Sequence, residues 1–136
     1  MTEMFLCSGQ IHVLNALKTK FDTTPPYIGL MSNSDIISKT YQIPVELSEC
    51  SYSNYARQPC SGWLVTSGSN PYISGPRVSF TVSGVALING YFVASAGVSG
   101  YALWAEGFPI TDQGTKASGV VINVIPKLAL KYYTET

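Results

Sequence analysis

Charge is what this sequence has least of. Only 12% of its 136 residues are Asp, Glu, Lys or Arg, about half the ~25% usual in soluble domains. Eight acidic and eight basic side chains cancel to a formal net charge of zero. A solitary soluble domain ordinarily keeps a densely charged exterior and a net charge away from zero, whereas the centres of protein–protein contacts are poor in charge and rich in aromatics. The composition therefore points to lasting contact with other protein, with a plain low-charge monomer as the alternative. The basic residues Lys18, Lys20, Lys39, Arg57, Arg77, Lys116, Lys127 and Lys131 are scattered. Without a clustered basic footprint, nucleic acid is not an expected partner.

Long apolar runs are also missing. None approaches the ~20 residues of a membrane-spanning helix, so no membrane partner is expected. The N-terminus carries Glu3 and no basic flank before Met4-Phe5-Leu6-Cys7, a poor secretory signal. Cysteine is sparse and odd in number: Cys7, Cys50 and Cys60, with no CxxC pair. Cys50 and Cys60 could join across a loop, leaving one thiol over. Buried free thiols in a protein made in a reducing cytoplasm are the expectation.

Catalytic chemistry is equally thin. A nucleophile needs a base in hydrogen-bond reach and a group to orient it, yet His12 is the sole histidine. Cys7 precedes it by a spacing that does not share a helical face, and a lone helical histidine is ordinarily a surface or packing residue. Glu46, Glu49 and Glu106 could supply paired carboxylates for glycoside hydrolysis. Glu106, at the end of an apolar strand, is the one to watch, as a partner for a cation or a loop amide. Glycines are dispersed without a GxxxxGK or GxGxxG core, and neither Cys/His pairs nor acidic clusters suggest a metal. Trp63 and Trp104 could line a carbohydrate groove, but they sit in apolar runs and read as core. The expectation is a non-enzymatic chain without cofactor or metal.

What is present is one domain's worth of β pattern behind a single helix. The length suits one domain spanning residues 1–136, and 46% hydrophobic content excludes wholesale disorder. Residues 10–21 repeat Val13, Leu14, Leu17 and Phe21 at helical spacing, with Ser8-Gly9 as a cap and Pro25-Pro26 as a stop. An N-terminal arm and helix thus occupy residues 1–24. Tyr27-Ile28-Gly29-Leu30-Met31 reads as a strand followed by a turn. Val78, Phe80 and Val82 alternate with Ser79 and Thr81, the period of a half-buried strand. Residues 85–94 form another strand region interrupted by Asn89-Gly90, either a hairpin turn or a bulge, and residues 101–106 read as its partner. Val120, Ile122, Val124, Leu128, Leu130 and Tyr132 share an extended face, with Pro126 marking an edge or break. Residues 68–76 read as loop, 44–47 as a short strand, and 35–70 as an irregular excursion over the domain or onto a neighbour. The expected core is Tyr27, Leu30, Phe80, Val82, Phe92, Trp104, Ile122, Val124 and Leu128. The fold class is mainly β: a β-sandwich or barrel of about seven or eight short strands with one N-terminal helix.

Several local motifs then occur in a familiar order: Tyr27-Ile28-Gly29-Leu30-Met31, Tyr55-Ala56-Arg57-Gln58-Pro59 with Trp63 shortly after, Val78-Ser79-Phe80, Ile88-Asn89-Gly90-Tyr91-Phe92-Val93 and Leu103-Trp104-Ala105-Glu106. The pattern resembles small virion structural proteins of tailed phages, in which a "YVGL" strand precedes "GYARQ", "VxF", "GYYV" and "LLWAERF". Gly107 stands where that group often has Arg. The resemblance implies a capsid cement (decoration) protein on the virion surface, forming a homo-oligomer, commonly a trimer, on the major capsid protein. A tail or baseplate component, or a receptor- or carbohydrate-binding virion module, is the alternative. Candidate contacts with sister subunits or capsid are Met4, Phe5, Leu6, Tyr41, Tyr52, Tyr55 and Arg57.

Overall fold

A computed structural model of the protein describes residues 6–32 and 47–130. The helix α1 spans Cys7–Thr23 and is followed by strands β1 (Tyr27–Met31), β2 (Gln58–Pro59), β3 (Leu64–Thr66), β4 (Tyr72–Ser74), β5 (Val78–Thr81), β6 (Ala86–Ile88), β7 (Gly90–Ala94), β8 (Ala102–Gly107), β9 (Gly114–Lys116), β10 (Val121–Val124) and β11 (Lys127–Ala129). They form four antiparallel sheets, ordered β2-β1-β7-β8, β10-β5, β11-β4-β3 and β6-β9. The chain is therefore mainly β with one N-terminal helix. Its strands are shorter and more numerous than the pattern suggested, and among the described residues they do not close into a barrel.

The helix buries Gln10, Leu14 and Phe21, with Leu17 packed at the margin, and rests on β3 and β4. Val13 lies off this stripe and is exposed. Ser8-Gly9 does not cap the helix. Leu6 holds the N-cap position without a side-chain bond, and the helix starts earlier than its apolar spacing indicated. Phe21 fixes the helix through an aromatic cluster, 4.8 Å from the Trp63 ring and 6.1 Å from that of Trp104.

The four-stranded sheet has two apolar faces because β1 and β7 are buried on both sides. Ile28, Leu30, Tyr91 and Val93 point into the main core, which also holds Leu14, Phe21, Trp63, Ile73, Phe80 and Val124. Met31, Phe92 and Ala94 point the other way and pack with Leu47. Gly29 and Phe92 face each other across the strands, and a Cβ on Gly29 would stand 2.2 Å from Phe92 Cζ. The glycine is what lets the ring lie flat on the sheet.

Some sequence expectations hold and others shift for identifiable reasons. Val78, Phe80 and Val82 are buried while Ser79 and Thr81 are exposed, and β8 pairs with β7 as expected. Of the expected core, Leu30, Phe80, Val82, Phe92 and Val124 are fully buried, whereas Tyr27, Trp104, Ile122 and Leu128 are half-buried. On β1 the main-core phase belongs to Ile28, one residue along from Tyr27.

Asn89-Gly90 is neither a hairpin turn nor a bulge. The strands on either side belong to different sheets, β6 with β9 and β7 with β1 and β8. Asn89 fastens the crossing: its main chain bonds Met31 and Phe108, and its side chain bonds Ser32 and the amide of Gly114. Residues 68–76 are not all loop, since Tyr72–Ser74 is the centre of a three-stranded sheet. The flanking Asn-Pro and Gly-Pro pairs mask a strand whose one inward residue, Ile73, is completely buried. Pro126 breaks the last apolar pattern into β10 and β11, which join different sheets, and Tyr132 lies outside the described residues. Of the short strand expected at 44–47, only Leu47 is described, and it sits in a turn.

Candidate interaction surface

Two of the seven candidate contact residues, Tyr55 and Arg57, converge on one carboxylate, and a third, Tyr52, packs beside them. Glu49 forms an isolated antiparallel bridge with Met31, which brings it beside the outer face of the four-stranded sheet. Tyr55 donates its hydroxyl hydrogen to Glu49 Oε2 at 2.6 Å and accepts the Leu30 amide at 3.1 Å. Arg57 approaches the same carboxylate as a fork, Nε to Oε2 at 2.7 Å and Nη2 to Oε1 at 2.8 Å. Such a bidentate charged pair is among the stronger and more directional side-chain contacts. Tyr52 stands edge-on to Tyr55 at 5.3 Å, and Tyr55 stacks over Phe80 at 6.4 Å. Burial, followed by the bond to Glu49, drives the Tyr55 hydroxyl well above the usual phenol range.

The second use of Arg57 matters more for the surface. Its Nη1 donates to the carbonyls of Ala96 at 2.9 Å and Ser99 at 2.7 Å, and its guanidinium lies 5.5 Å from the centre of the Phe92 ring. The loop between β7 and β8 is thereby tied to the sheet. Ser99 and Gly100 take left-handed backbone angles, φ 55° and 73°, and the Ser95 hydroxyl accepts the Tyr101 amide. Val98, at the tip, is 82% exposed. Arg57 itself is only 6% exposed at its side chain. What it contributes to the surface is the loop it holds.

Two clefts flank the segment that carries Glu49. One, of about 520 Å³, runs between residues 49–57 and the loop bearing Val98. The other, of about 360 Å³, lies between Glu49–Tyr52 and the β6 region, beside Val85 and Leu87, which are 73% and 49% exposed. Charge within this surface is neutralised internally by the Glu49–Arg57 pair, leaving apolar and hydroxyl-bearing side chains for contact.

The remaining candidates scatter. Leu6 is exposed at the start of α1, and Met4, Phe5 and Tyr41 lie outside the described residues. The part of the excursion from 47 to 70 lies on the domain itself, with β2 pairing to β1 and Trp63 buried. Glu106 accepts a hydrogen bond from Tyr91 at 3.0 Å, and burial pushes that tyrosine up to about 12. His12 and Cys7 are exposed on the helix. All three cysteines are free thiols; Cys50 and Cys60 are buried, and burial pushes each thiol up to about 11. A sugar-binding groove built on tryptophan finds no support, because Trp63 is 1% exposed and Trp104 is half-buried against Phe21 and Trp63.

Sequence reasoning missed Val85, Leu87 and Val98. A single valine in a Gly/Ser-rich tip was the available signal for Val98. Compared with known families, curated proteins and solved structures, the chain matches none.

Proposed function

We propose that this chain is a structural module of a tailed-phage virion, a cement protein that binds the outer surface of the head and works by contact rather than by catalysis. The observation that carries the reading is the surface around Glu49. A charge-neutral wall rises between two clefts, with Val85, Leu87 and Val98 held in the open beside it. Large apolar side chains fixed in water at a charge-poor site favour association, since covering them releases roughly 25 cal/mol per Å² of apolar area. The partner in this reading is the major capsid protein. The chain acts as a homo-oligomer, with a trimer matching the threefold positions of a capsid lattice. Its place is the capsid surface, after synthesis in the host cytoplasm.

The test is reconstitution. Purified chain is mixed with emptied heads assembled from the capsid gene of the same genome, and bound protein is measured by sedimentation and imaged on the head. Binding at threefold positions that raises the temperature at which heads rupture supports the proposal. A stable 14.7 kDa monomer that leaves heads unbound overturns it, and recovery of the chain in purified tails assigns it to the tail instead.

A further inference from the structure

The two-stranded ribbon of β5 and β10 has unequal edges. Val82 donates its amide to the carbonyl of Val120 at 2.8 Å, and the register pairs Phe80 with Ile122 and Val78 with Val124. Antiparallel ladders alternate bonded and non-bonded pairs, so Phe80, Val78, Ile122 and Val124 direct their backbone groups into the ribbon. Ser79, Thr81, Val121 and Asn123 direct theirs outward. On the β5 side Gln58 meets this demand, its Nε2 donating to the Ser79 carbonyl at 2.8 Å. On the β10 side the backbone groups of Val121 and Asn123 meet no partner among the described residues.

Exposed edges are ordinarily guarded by a lysine, a proline, a bulge or extreme shortness. The run Val120-Val121-Ile122-Asn123-Val124-Ile125 has no charge, no proline and no glycine, and Val121 and Ile125 are 53% and 63% exposed. Along this edge runs a slot of about 300 Å³, walled opposite by Phe108, Asp112 and Lys116. Its two charged residues are of opposite sign, and Lys116 Nζ is engaged by the Asp112 carbonyl at 2.7 Å. The slot therefore asks for an occupant without net charge.

We propose that β10 receives an extended, uncharged segment of another polypeptide as an added antiparallel strand, bonded to the backbone of Val121 and Asn123, with an apolar side chain turned toward Phe108. Strand addition of this kind draws affinity from main-chain bonds and specificity from alternate side chains. The assignment rests on the reading of the chain as part of a protein assembly, and it names one of the contacts that would hold it there.

The experiment uses the isotope-labelled full chain and a blocked, uncharged peptide of alternating threonine and valine. Amide exchange and chemical shifts are followed during titration. The expected result is slowed exchange at Val121 and Asn123, with binding weakened at least about tenfold, the equivalent of one or two net hydrogen bonds, in Val121→Pro. Val121→Lys keeps the backbone donor but places charge in the slot, and is expected to weaken binding too. Leu64→Lys, at a separate sheet edge, should bind as the parent does. Unprotected amides at 121 and 123, or unchanged binding in both Val121 variants, would overturn the proposal. Protection that appears without peptide and grows with protein concentration would identify a second copy as the occupant, and the proposal falls in that case also. Peptide binding by a chain that ignores emptied heads would remove the cement reading and leave the strand-addition site standing.

Discussion

Arg57 serves two masters with one planar group: a carboxylate on one side and two loop carbonyls on the other. Removing it strands Glu49 against Tyr55 and frees residues 95–101 together. Arg57→Met is expected to lower stability by about 3 kcal/mol, the scale for breaking a largely shielded pair, read from the midpoint of chemical unfolding. Arg57→Lys should recover little, because an ammonium cannot reproduce the fork. The sequence displayed Tyr55 and Arg57 as notable residues, but not their common partner, since Glu49 lies in an irregular stretch where side-chain direction has no period to reveal it. The buried thiols make a second residue-scale prediction. Cys50 and Cys60 stay protonated in the fold up to about 11, whereas in the unfolded chain they ionise near 9. The folded state then binds more protons than the unfolded state between these values, so stability is intact below pH 9 and falls as pH rises toward 11. Tyr91, pushed to about 12 for the same reason, continues the loss. Unfolding curves at successive alkaline pH values should show it, and native labelling at neutral pH should modify Cys7 alone.

Among the elements, β1 and β7 are the least tolerant of change. Gly29→Ala would push a methyl into the Phe92 ring, which is itself fully buried. A cost of about 3 kcal/mol is expected from overpacking, and a thermal melt would record it. Phe80→Ala should cost about 3–5 kcal/mol through the cavity it leaves. The helix, β1, β5 and the β7–β8 pair were legible in the sequence because each carries a full period of its pattern. β4 was not, because three residues between two proline-bearing turns give no period at all. The Asn89 crossing was hidden for a different reason. Asn-Gly advertises a tight turn, but here the asparagine side chain ties three separated segments, a long-range role that local propensity cannot express.

At the scale of the whole molecule, the prediction concerns association. A chain with zero net charge and apolar contact residues should assemble without electrostatic steering. Light scattering is expected to show an oligomer whose stability is unchanged or greater in high salt, because screening has little to weaken while salts such as sulfate strengthen apolar burial. Dissociation on adding salt would show that charge pairing holds the assembly. The composition suggested contact with other protein but gave no place for it; the proposed surface arises only when residues 49–57, 85–87 and 96–99 are brought together from separate parts of the chain.

The pairing scheme also sets a timetable. β1 must wait for β7, β5 for β10, and β4 for β11, so no sheet is complete until well into the second half of the chain. Folds built on such distant pairings form in milliseconds to seconds rather than microseconds. On the ribosome, the Val78–Thr81 strand emerges well before residues 121–124 arrive to pair with it. The apolar side of β5 is thus open until the last part of the chain is made, and yield in the cell should depend on chaperone supply as well as on the stability of the finished fold.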